Sequence, residues 1–205
     1  MTKLTAEDLN VSRETFHRLE RYVALIEKWT AKINLVSKSS VSDIWTRHIL
    51  DSVEVYRAGP NQFGRWLDLG SGGGLPGIVV AIMAAENDNQ QNVCLVESDS
   101  RKAAFLRAAI REAGVAGTVI CERIEVLPPQ NADAVSARAL AELGTLLGYA
   151  DRHLAKGGIA LFAKGMSWEK ELAMARNDWS FSYEALKSNT EEGSVILRIG
   201  DIARV

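Results

Sequence analysis

A glycine-rich loop between a buried strand and an apolar helix constrains the fold of this 205-residue chain more than any other segment. Residues 66–69 form a short run that is apolar around Asp68, and five glycines then fall within residues 70–77. Pro76 stands where the first turn of a helix accepts proline, and an apolar run over 78–83 continues that helix. Because glycine lets a backbone approach a ligand without an intervening Cβ atom, this order of elements predicts a nucleoside-binding site.

Two acidic residues help to decide which nucleoside cofactor the loop binds. Residues 72–77 match the dinucleotide pattern G-x-G-x-x-G, but a segment so rich in glycine satisfies many patterns. Asp68 disfavours a pyrophosphate, whereas the ammonium and sulfonium groups of S-adenosylmethionine are compatible with a carboxylate. Glu97 ends the next apolar strand, where a carboxylate binds ribose hydroxyls in NAD sites as well; a solvated strand end is its other interpretation. We therefore predict S-adenosylmethionine, bound by Asp68, Gly70, Gly72 and Glu97.

Composition and charge narrow the possible classes of protein. Hydrophobic residues make up 47% of the chain, and the longest uncharged run, 69–85, is too short and too interrupted to span a bilayer. The first residues contain no apolar run of the kind a signal peptide needs, and Cys94 and Cys121 lie in predicted strands, where thiols are commonly buried and reduced. We therefore expect a cytoplasmic protein without a membrane partner. The spacing of His and Cys predicts no metal site.

The distribution of charge argues against extended binding to nucleic acid. The net charge is −2, with nine Lys and Arg against eight Asp and Glu over residues 1–58, and fifteen against eighteen over the remainder. No polybasic tail or stripe is present in the sequence. Any affinity for RNA must therefore come from a local patch or from a partner.

The order of predicted elements indicates an α/β domain that follows a helical extension. Apolar residues at helical spacing predict a helix over 16–29, capped by Ser12, and a second over 41–56. Beyond these, strands and helices alternate, which predicts a parallel, doubly wound sheet. The predicted strands are 65–70, 92–97, 118–122, 133–137 and 158–163, and the helices 75–86, 100–113, 140–155 and 167–176. We assign 1–58 to the helical extension and 59–205 to an S-adenosylmethionine-dependent methyltransferase domain.

The end of the chain departs from that alternation. Residues 181–186 and 194–199 predict two strands joined only by a turn, and such a hairpin forces one antiparallel strand into the sheet. A seven-stranded, mostly parallel sheet with a C-terminal antiparallel hairpin is the architecture of Rossmann-like class I methyltransferases and not of dehydrogenases. The sequence therefore predicts that fold class.

Motifs outside the loop resemble those of a known family. The second helix contains Arg-His-Ile-Leu-Asp-Ser at 47–52, Arg138-Ala139 follow the fourth strand, and Lys164-Gly165 follow the fifth. With the loop at 68–77, these motifs resemble the glucose-inhibited division protein B (RsmG) family over essentially the whole chain. That family comprises S-adenosylmethionine-dependent methyltransferases that act on guanine N7 in 16S ribosomal RNA. The segment 47–52 is the most specific motif, because it lies outside the common methyltransferase core.

The resemblance implies the positions of the cofactor contacts and the nature of the partner. Many relatives have proline where Gly73 stands and serine where Ala137 stands, so a hydroxyl contact at Ala137 is not expected. The implied partner is 16S ribosomal RNA, folded or in a small-subunit particle, and the implied enzyme is a cytoplasmic monomer. The implied cofactor contacts fall on Gly70, Leu75, Ile124, Glu125 and Arg138.

The implied chemistry needs no catalytic side chain. Guanine N7 carries a lone pair and no proton, so no general base is required before it attacks a methyl group. Because the methylated base is positively charged, we assign Arg138 and Lys164 to binding rather than to chemistry. Arg47, His48 and Asp51 lie at helical spacing, and they form either a surface ion pair with an adjacent helix or a contact with RNA at the edge of the site.

Other functions stay open from the residues alone. A small-molecule methyltransferase shares the loop, but such enzymes usually enclose the substrate under a lid, and this chain has no long insertion to build one. An NAD-dependent oxidoreductase and a non-catalytic cofactor-binding module are the remaining alternatives.

Overall fold

The computed structural model describes residues 4–87 and 91–205 and shows a central sheet with helices packed on both faces. The helices are α1 (Arg13–Thr30), α2 (Lys38–Val41), α3 (Asp51–Ala58), α4 (Gly77–Ala84), α5 (Ser100–Ala113), α6 (Leu143–His153) and α7 (Trp168–Ala175). The strands are β1 (Arg65–Leu69), β2 (Asn92–Val96), β3 (Thr118–Ile120), β4 (Ala132–Arg138), β5 (Leu154–Lys164), β6 (Trp179–Lys187) and β7 (Val195–Arg204).

Within the described residues, the seven strands form one sheet in the order β3-β2-β1-β4-β5-β7-β6. Strands β1 to β5 are parallel, whereas β7 runs antiparallel to both β5 and β6. The predicted doubly wound sheet with an inverted C-terminal hairpin is therefore confirmed. The strand order reverses between β1 and β4, and ligands bind in open α/β sheets at such a switch point, outside the carboxyl ends of the strands.

Alternate residues of the central strands pack on opposite faces of the sheet, as the two-residue period of a strand requires. Leu67 and Phe162 pack in a cluster with residues of α6 and α7, whereas Trp66 and Leu161 pack with residues of α3 and α4. Both faces are thus covered by apolar side chains, which explains why β1 is buried almost throughout.

The N-terminal helix belongs to the helical layer on one face. The hydroxyl of Ser12 accepts a hydrogen bond from Thr15 N, so the predicted cap is confirmed. Leu19 and Ile26 are fully buried and share a cluster with Ile78 of α4 and Phe105 of α5. The extension therefore contacts the helices that frame the glycine loop. The division at residues 58 and 59 stays a prediction.

The prediction of one continuous helix over residues 41–56 is wrong. The segment contains α2, a π-helical turn over Trp45–Leu50, and α3. The Ser52 hydroxyl donates to the His48 carbonyl at 2.6 Å, a local bond that competes with regular helix geometry. The wide turn matters because π-helical turns frequently occur at functional sites, and this one contains most of the segment 47–52.

Two smaller expectations are also corrected. Pro76 precedes α4 as its N-cap rather than lying in the first turn. Cys121 is exposed, because the short edge strand β3 ends at Ile120, whereas Cys94 in β2 is buried as expected. In the part of the chain that the structure describes, we find no helix with the length and apolar character that crossing a membrane requires.

Candidate active site

The glycine loop joins β1 to α4 through left-handed backbone conformations. Gly70 has φ +62° and Gly74 has φ +83°, a region that other residues rarely adopt. A Cβ at Gly70 would lie 2.6 Å from Leu140 Cδ1, and a Cβ at Gly74 would collide with Ile78. The loop is also tied to the neighbouring strand, since Ser71 N donates to the Val96 carbonyl at 3.0 Å. Glycine is therefore required here by conformation and by close packing.

Tyr22 of α1 holds the loop from the helical layer. Its side chain is fully buried, and its hydroxyl donates to the Gly73 carbonyl at 2.5 Å. Burial raises the pKa of Tyr22 well above its ordinary value, so the hydroxyl keeps its proton and stays a donor. Tyr22 is not among the residues predicted from the sequence. The available signal was a phenol on the buried face of α1, because a buried hydroxyl usually has a hydrogen-bond partner.

Asp68 lies beneath the loop and not in a cavity wall. Its Oδ1 accepts a hydrogen bond from the Ser136 hydroxyl at 2.6 Å, and Trp66 Nε1 donates to the same hydroxyl at 2.9 Å. Its Oδ2 is so close to Gly77 that a Cβ there would lie 2.6 Å away. Burial raises the pKa of Asp68 to about 6. The structure thus places Asp68 as a support for the loop, while its predicted contact with the cofactor stays a prediction.

A cavity of about 310 Å³ opens beside the loop, and we call it the loop cavity. It contains most of the predicted cofactor residues, but the side chains of Asp68, Leu75 and Arg138 are not in its lining. Leu75 is buried in the cluster shared with α1 and α5, and its predicted contact with the cofactor stays a prediction. The lining residues used below are Gly70, Gly72, Glu97, Ile124, Glu125 and Leu140.

Glu97 is buried in the wall of the loop cavity. Its Oε2 accepts a hydrogen bond from Gly72 N at 2.9 Å, and its Oε1 accepts one from Asp99 N at 2.8 Å. The alternative of a solvated strand end is therefore wrong, since only 8% of the residue is exposed. Each carboxylate oxygen has a second lone pair, so the group retains capacity to accept ligand hydroxyls.

The far wall of the loop cavity combines an apolar and a polar residue. Ile124 is buried and offers an apolar surface, as expected for a residue beside an adenine. Glu125 is exposed, and its carboxylate accepts a hydrogen bond from the Tyr149 hydroxyl at 2.6 Å, which lowers the pKa of Glu125. The Glu125 side chain is therefore tied to Tyr149, which lines the same cavity.

A larger cavity of about 560 Å³ lies at the carboxyl ends of β4 and β5, and we call it the arginine cavity. Arg138 donates to His48 Nδ1 at 2.8 Å and lies 3.5 Å from Asp51 Oδ2. Because arginine has only donors, Nδ1 must be the acceptor and the imidazole proton is on Nε2. Burial, and secondarily the charge of Arg138, lower the pKa of His48 to about 4, so the imidazole is neutral at pH 7.

The other cations of the arginine cavity are also paired with carboxylates. Lys164 lies 2.6 Å from Glu171 and donates to the Ala141 carbonyl at 2.8 Å, whereas Arg47 lies 3.3 Å from Glu191. Of the two interpretations of Arg47, the surface ion pair is present, but its partner Glu191 belongs to the loop between β6 and β7 and not to an adjacent helix, whereas contact with RNA stays a prediction. The sequence predicts the hairpin but does not place its loop or Glu171 in the site, because both come from segments distant in the chain. Among the residues that line this cavity, each Lys or Arg has a carboxylate partner.

The two cavities adjoin at residues that follow β4. Ala139 and Leu140 line both of them, and Ala139 has φ +50°, which is unusual for a residue other than glycine. Strained backbone of this kind costs free energy and concentrates at functional sites. The two cavities therefore lie on either side of a short backbone segment at the switch point of the sheet, where ligands bind in open α/β folds.

The sheet order, the glycine loop after β1 and the acidic residue after β2 define the Rossmann-like class I methyltransferase fold. A solved structure of a TehB-like SAM-dependent methyltransferase from Corynebacterium glutamicum is similar, with a TM-score of 0.56 and 14% identity over 93% of this chain and 99% of that one. Cofactor-bound Rv0187 from MTB is similar too, with a TM-score of 0.61 and 15% identity over 97% of this chain and 98% of that one.

The sequence relatives are more specific than these structures. The family model described as rRNA small subunit methyltransferase G matches residues 15–195, and the chain belongs to this family. A Ruegeria pomeroyi protein named Ribosomal RNA small subunit methyltransferase G is 55% identical over 200 residues, which is 98% of each chain. A Cereibacter sphaeroides protein of the same name is 49% identical over 205 residues, the whole of each chain.

Replacing Glu97 with alanine is expected to weaken cofactor binding. The variant loses an acceptor for ribose hydroxyls and the bond that fixes Gly72 N, and hydrogen bonds to charged groups contribute about 1.5–3 kcal/mol each. Calorimetric titration with S-adenosylhomocysteine measures the change. Glu122→Ala is the matched control, because Glu122 is an exposed acid in the same cavity wall that makes no bond to the loop. Equal losses in both variants would show that only the net charge of the cavity matters.

Proposed function

We propose that this protein transfers the methyl group of S-adenosylmethionine to N7 of a guanine in 16S ribosomal RNA. The observation that carries the proposal is the pair of adjoining cavities, one against the glycine loop and one lined by paired charges, separated by Ala139 and Leu140. Membership of the family supports the RNA substrate, since relatives carry the name of a small-subunit ribosomal RNA methyltransferase.

The residues of the loop cavity fit S-adenosylmethionine. The buried carboxylate of Glu97 suits vicinal ribose hydroxyls, and Ile124 offers an apolar surface to the adenine. Gly70 and Gly72 let the backbone approach the ligand, because neither presents a Cβ to it. When bound, the cofactor supplies a methyl group made electrophilic by the sulfonium. A solved structure of M. jannaschii TYW2, whose fold is similar at a TM-score of 0.57, is described as a complex with AdoMet.

The arginine cavity holds the base so that N7 faces the loop cavity. Guanine N7 has no proton to lose, so the chain needs to align two partners rather than to move a proton. Such alignment accounts for up to about 7–11 kcal/mol of barrier reduction in favourable intramolecular systems. Ala139 and Leu140 stand where the two ligands meet, and their fixed backbone sets the line of transfer.

The paired charges of the arginine cavity suit a reaction whose product base is positively charged. An isolated Arg138 or Lys164 would repel that product. Here Asp51 offsets Arg138, Glu171 offsets Lys164, and His48 adds no charge because its pKa is about 4. The cavity therefore offers directional donors with little net positive charge.

We expect methylation to depend on the architecture of the RNA as well as on the target base. Because the chain has no surplus of Lys and Arg, it makes few phosphate contacts, and each such contact contributes about 0.9 to the salt slope of binding. A preformed surface must then supply the remaining recognition, with Arg47 at its edge. The proposed reaction takes place in the cytoplasm, with the protein acting as a monomer.

The test offers labelled S-adenosylmethionine with naked 16S RNA, small-subunit particles, or a short hairpin that contains the target guanine. We expect fast transfer to particles or to folded 16S RNA, slow transfer to the hairpin, and label at N7, located by strand cleavage specific for 7-methylguanine. Efficient methylation of the hairpin would contradict the dependence on architecture. Label at another atom, or transfer to none of the three RNAs, would contradict the proposed reaction itself.

A further inference from the structure

Asp51 is a buried carboxylate in the arginine cavity with weak contacts only. Among the described residues, the polar partners of its oxygens are Arg138 at 3.5 Å, Ser188 Oγ at 3.4 Å and Thr190 Oγ1 at 3.5 Å. Charge-assisted hydrogen bonds in proteins are much shorter, at about 2.7–2.9 Å. The carboxylate has therefore been removed from water without strong replacement bonds, and it retains the capacity to accept hydrogen bonds from a ligand.

The other acids in the lining of the arginine cavity are placed differently. Glu171 is 2.6 Å from Lys164 and also accepts a hydrogen bond from Leu143 N at 3.0 Å. Glu142 is exposed to solvent, and Glu191 is an exposed partner of Arg47 at the rim. Among these acids, Asp51 alone is buried without a short bond, within the residues that the structure describes.

The position of Asp51 suits one edge of a purine. It lines the arginine cavity and not the loop cavity, so it lies away from the side on which N7 must face the methyl group. The N1–H and 2-amino donors of guanine are at the opposite end of the base from N7. Adenine has a lone pair at N1 and no amino group at C2, so it would leave this carboxylate without a donor. A buried group left unpaired by the wrong substrate discriminates strongly.

We propose that Asp51 selects guanine by accepting hydrogen bonds from N1–H and the 2-amino group of the target base. The assignment rests on the proposed function, because it takes the arginine cavity as the base site. Burial raises the pKa of Asp51 and the charge of Arg138 opposes that rise, while the hairpin loop approaches Asp51 through Ser188 and Thr190. Asp51 is thus a specificity residue, and it takes no part in transfer of the methyl group.

The experiment measures binding of guanosine, inosine and adenosine 5′-monophosphates to the full chain. Saturation with S-adenosylhomocysteine fills the loop cavity, so the nucleotides report on the arginine cavity. We expect the wild type to prefer the guanosine nucleotide over the adenosine nucleotide at least about tenfold. Inosine, which has N1–H but no 2-amino group, should lie between them. Asp51→Asn should remove most of this preference.

Glu54→Gln is the matched control for the Asp51 variant. Glu54 lies one turn further along α3 and accepts a hydrogen bond from Asn189 Nδ2 at 2.6 Å, so it anchors the hairpin loop without lining the cavity. We expect its nucleotide preference to equal that of the wild type. A loss of preference in Glu54→Gln as large as in Asp51→Asn would assign the effect to the hairpin loop and overturn the proposal.

Two further outcomes separate this inference from the proposed function. If Asp51→Asn lowers the affinity for all three nucleotides equally, Asp51 serves only to position Arg138. The inference is then wrong, even where the wild type methylates guanine N7. If the wild type shows the guanine preference and Asp51→Asn loses it, base selection stands even where RNA methylation at N7 is not observed. No preference in the wild type overturns the inference directly.

Discussion

Alanine at Gly70 is expected to abolish measurable cofactor binding in a protein that still folds. Gly70 has φ +62°, and its Cβ would lie 2.6 Å from Leu140 Cδ1. A left-handed conformation costs an alanine about 1–2 kcal/mol, and overpacking costs about 1–3 kcal/mol. In the variant the loop relieves this strain by moving away from its native conformation. Cofactor binding must then restore the strained conformation, and its free-energy cost lowers the affinity. We expect the affinity for S-adenosylhomocysteine to fall by more than about a hundredfold in a calorimetric titration.

Gly114→Ala is the matched control for the Gly70 variant. Gly114 ends α5 with φ +66°, nearly the same conformation, and no atom lies within 4 Å of the point that a Cβ would occupy there. Its substitution should lower the free energy of unfolding by about 1 kcal/mol and leave cofactor affinity unchanged. Gly72→Ala, with φ +53° and only an ordinary contact of 3.7 Å between the Cβ and the Gly70 carbonyl oxygen, should give a smaller loss than Gly70→Ala. Wild-type affinity in Gly70→Ala would show that the loop is not the cofactor site.

The buried groups Asp68 and His48 are expected to give opposite pH dependences of stability. The pKa of Asp68 is raised from 3.8 to about 6, so between these values the native state binds a proton that the unfolded chain has lost. Stability therefore falls as pH rises through this window, by about 3 kcal/mol in total. The pKa of His48 is lowered from 6.5 to about 4, so the unfolded chain binds the extra proton and stability rises with pH.

Urea unfolding at pH 4.5 and pH 7 of the wild type, Asp68→Asn and His48→Gln measures both contributions. Relative to the wild type, Asp68→Asn should become more stable as pH rises, because the cost of ionising the buried carboxyl is gone. His48→Gln should become less stable over the same range. Each substitution also changes the free energy of unfolding by an amount that does not depend on pH. The informative quantity is therefore how much the difference between variant and wild type changes from pH 4.5 to pH 7. The same pH dependence in Asp68→Asn and the wild type would show that Asp68 ionises normally in the folded protein.

The glycine loop illustrates what local sequence predicts well. Glycine spacing, the strand before Asp68 and the apolar helix after Pro76 are local signals, and each reports directly on backbone conformation. The alternation of elements and the short turn before β7 then predict the sheet architecture, because parallel strands need helical crossovers and hairpins do not. The interruption of the second predicted helix could not be predicted from such local signals. The buried Ile49 of its π-helical turn packs in the cluster with residues of α1 and α4, and local periodicity does not report such packing.

Local patterns were enough to establish the fold class, the position of the loop and the acidic residue at the end of β2, because these depend on neighbouring residues in the chain. The packed structure was needed to show that Asp68 supports the loop from below, that Tyr22 holds it from above, and that Arg138 meets His48 and Asp51. These contacts join residues 51 to 90 positions apart. No local pattern encodes such pairs, since burial and charge partners are set by how the packed layers bring distant segments together.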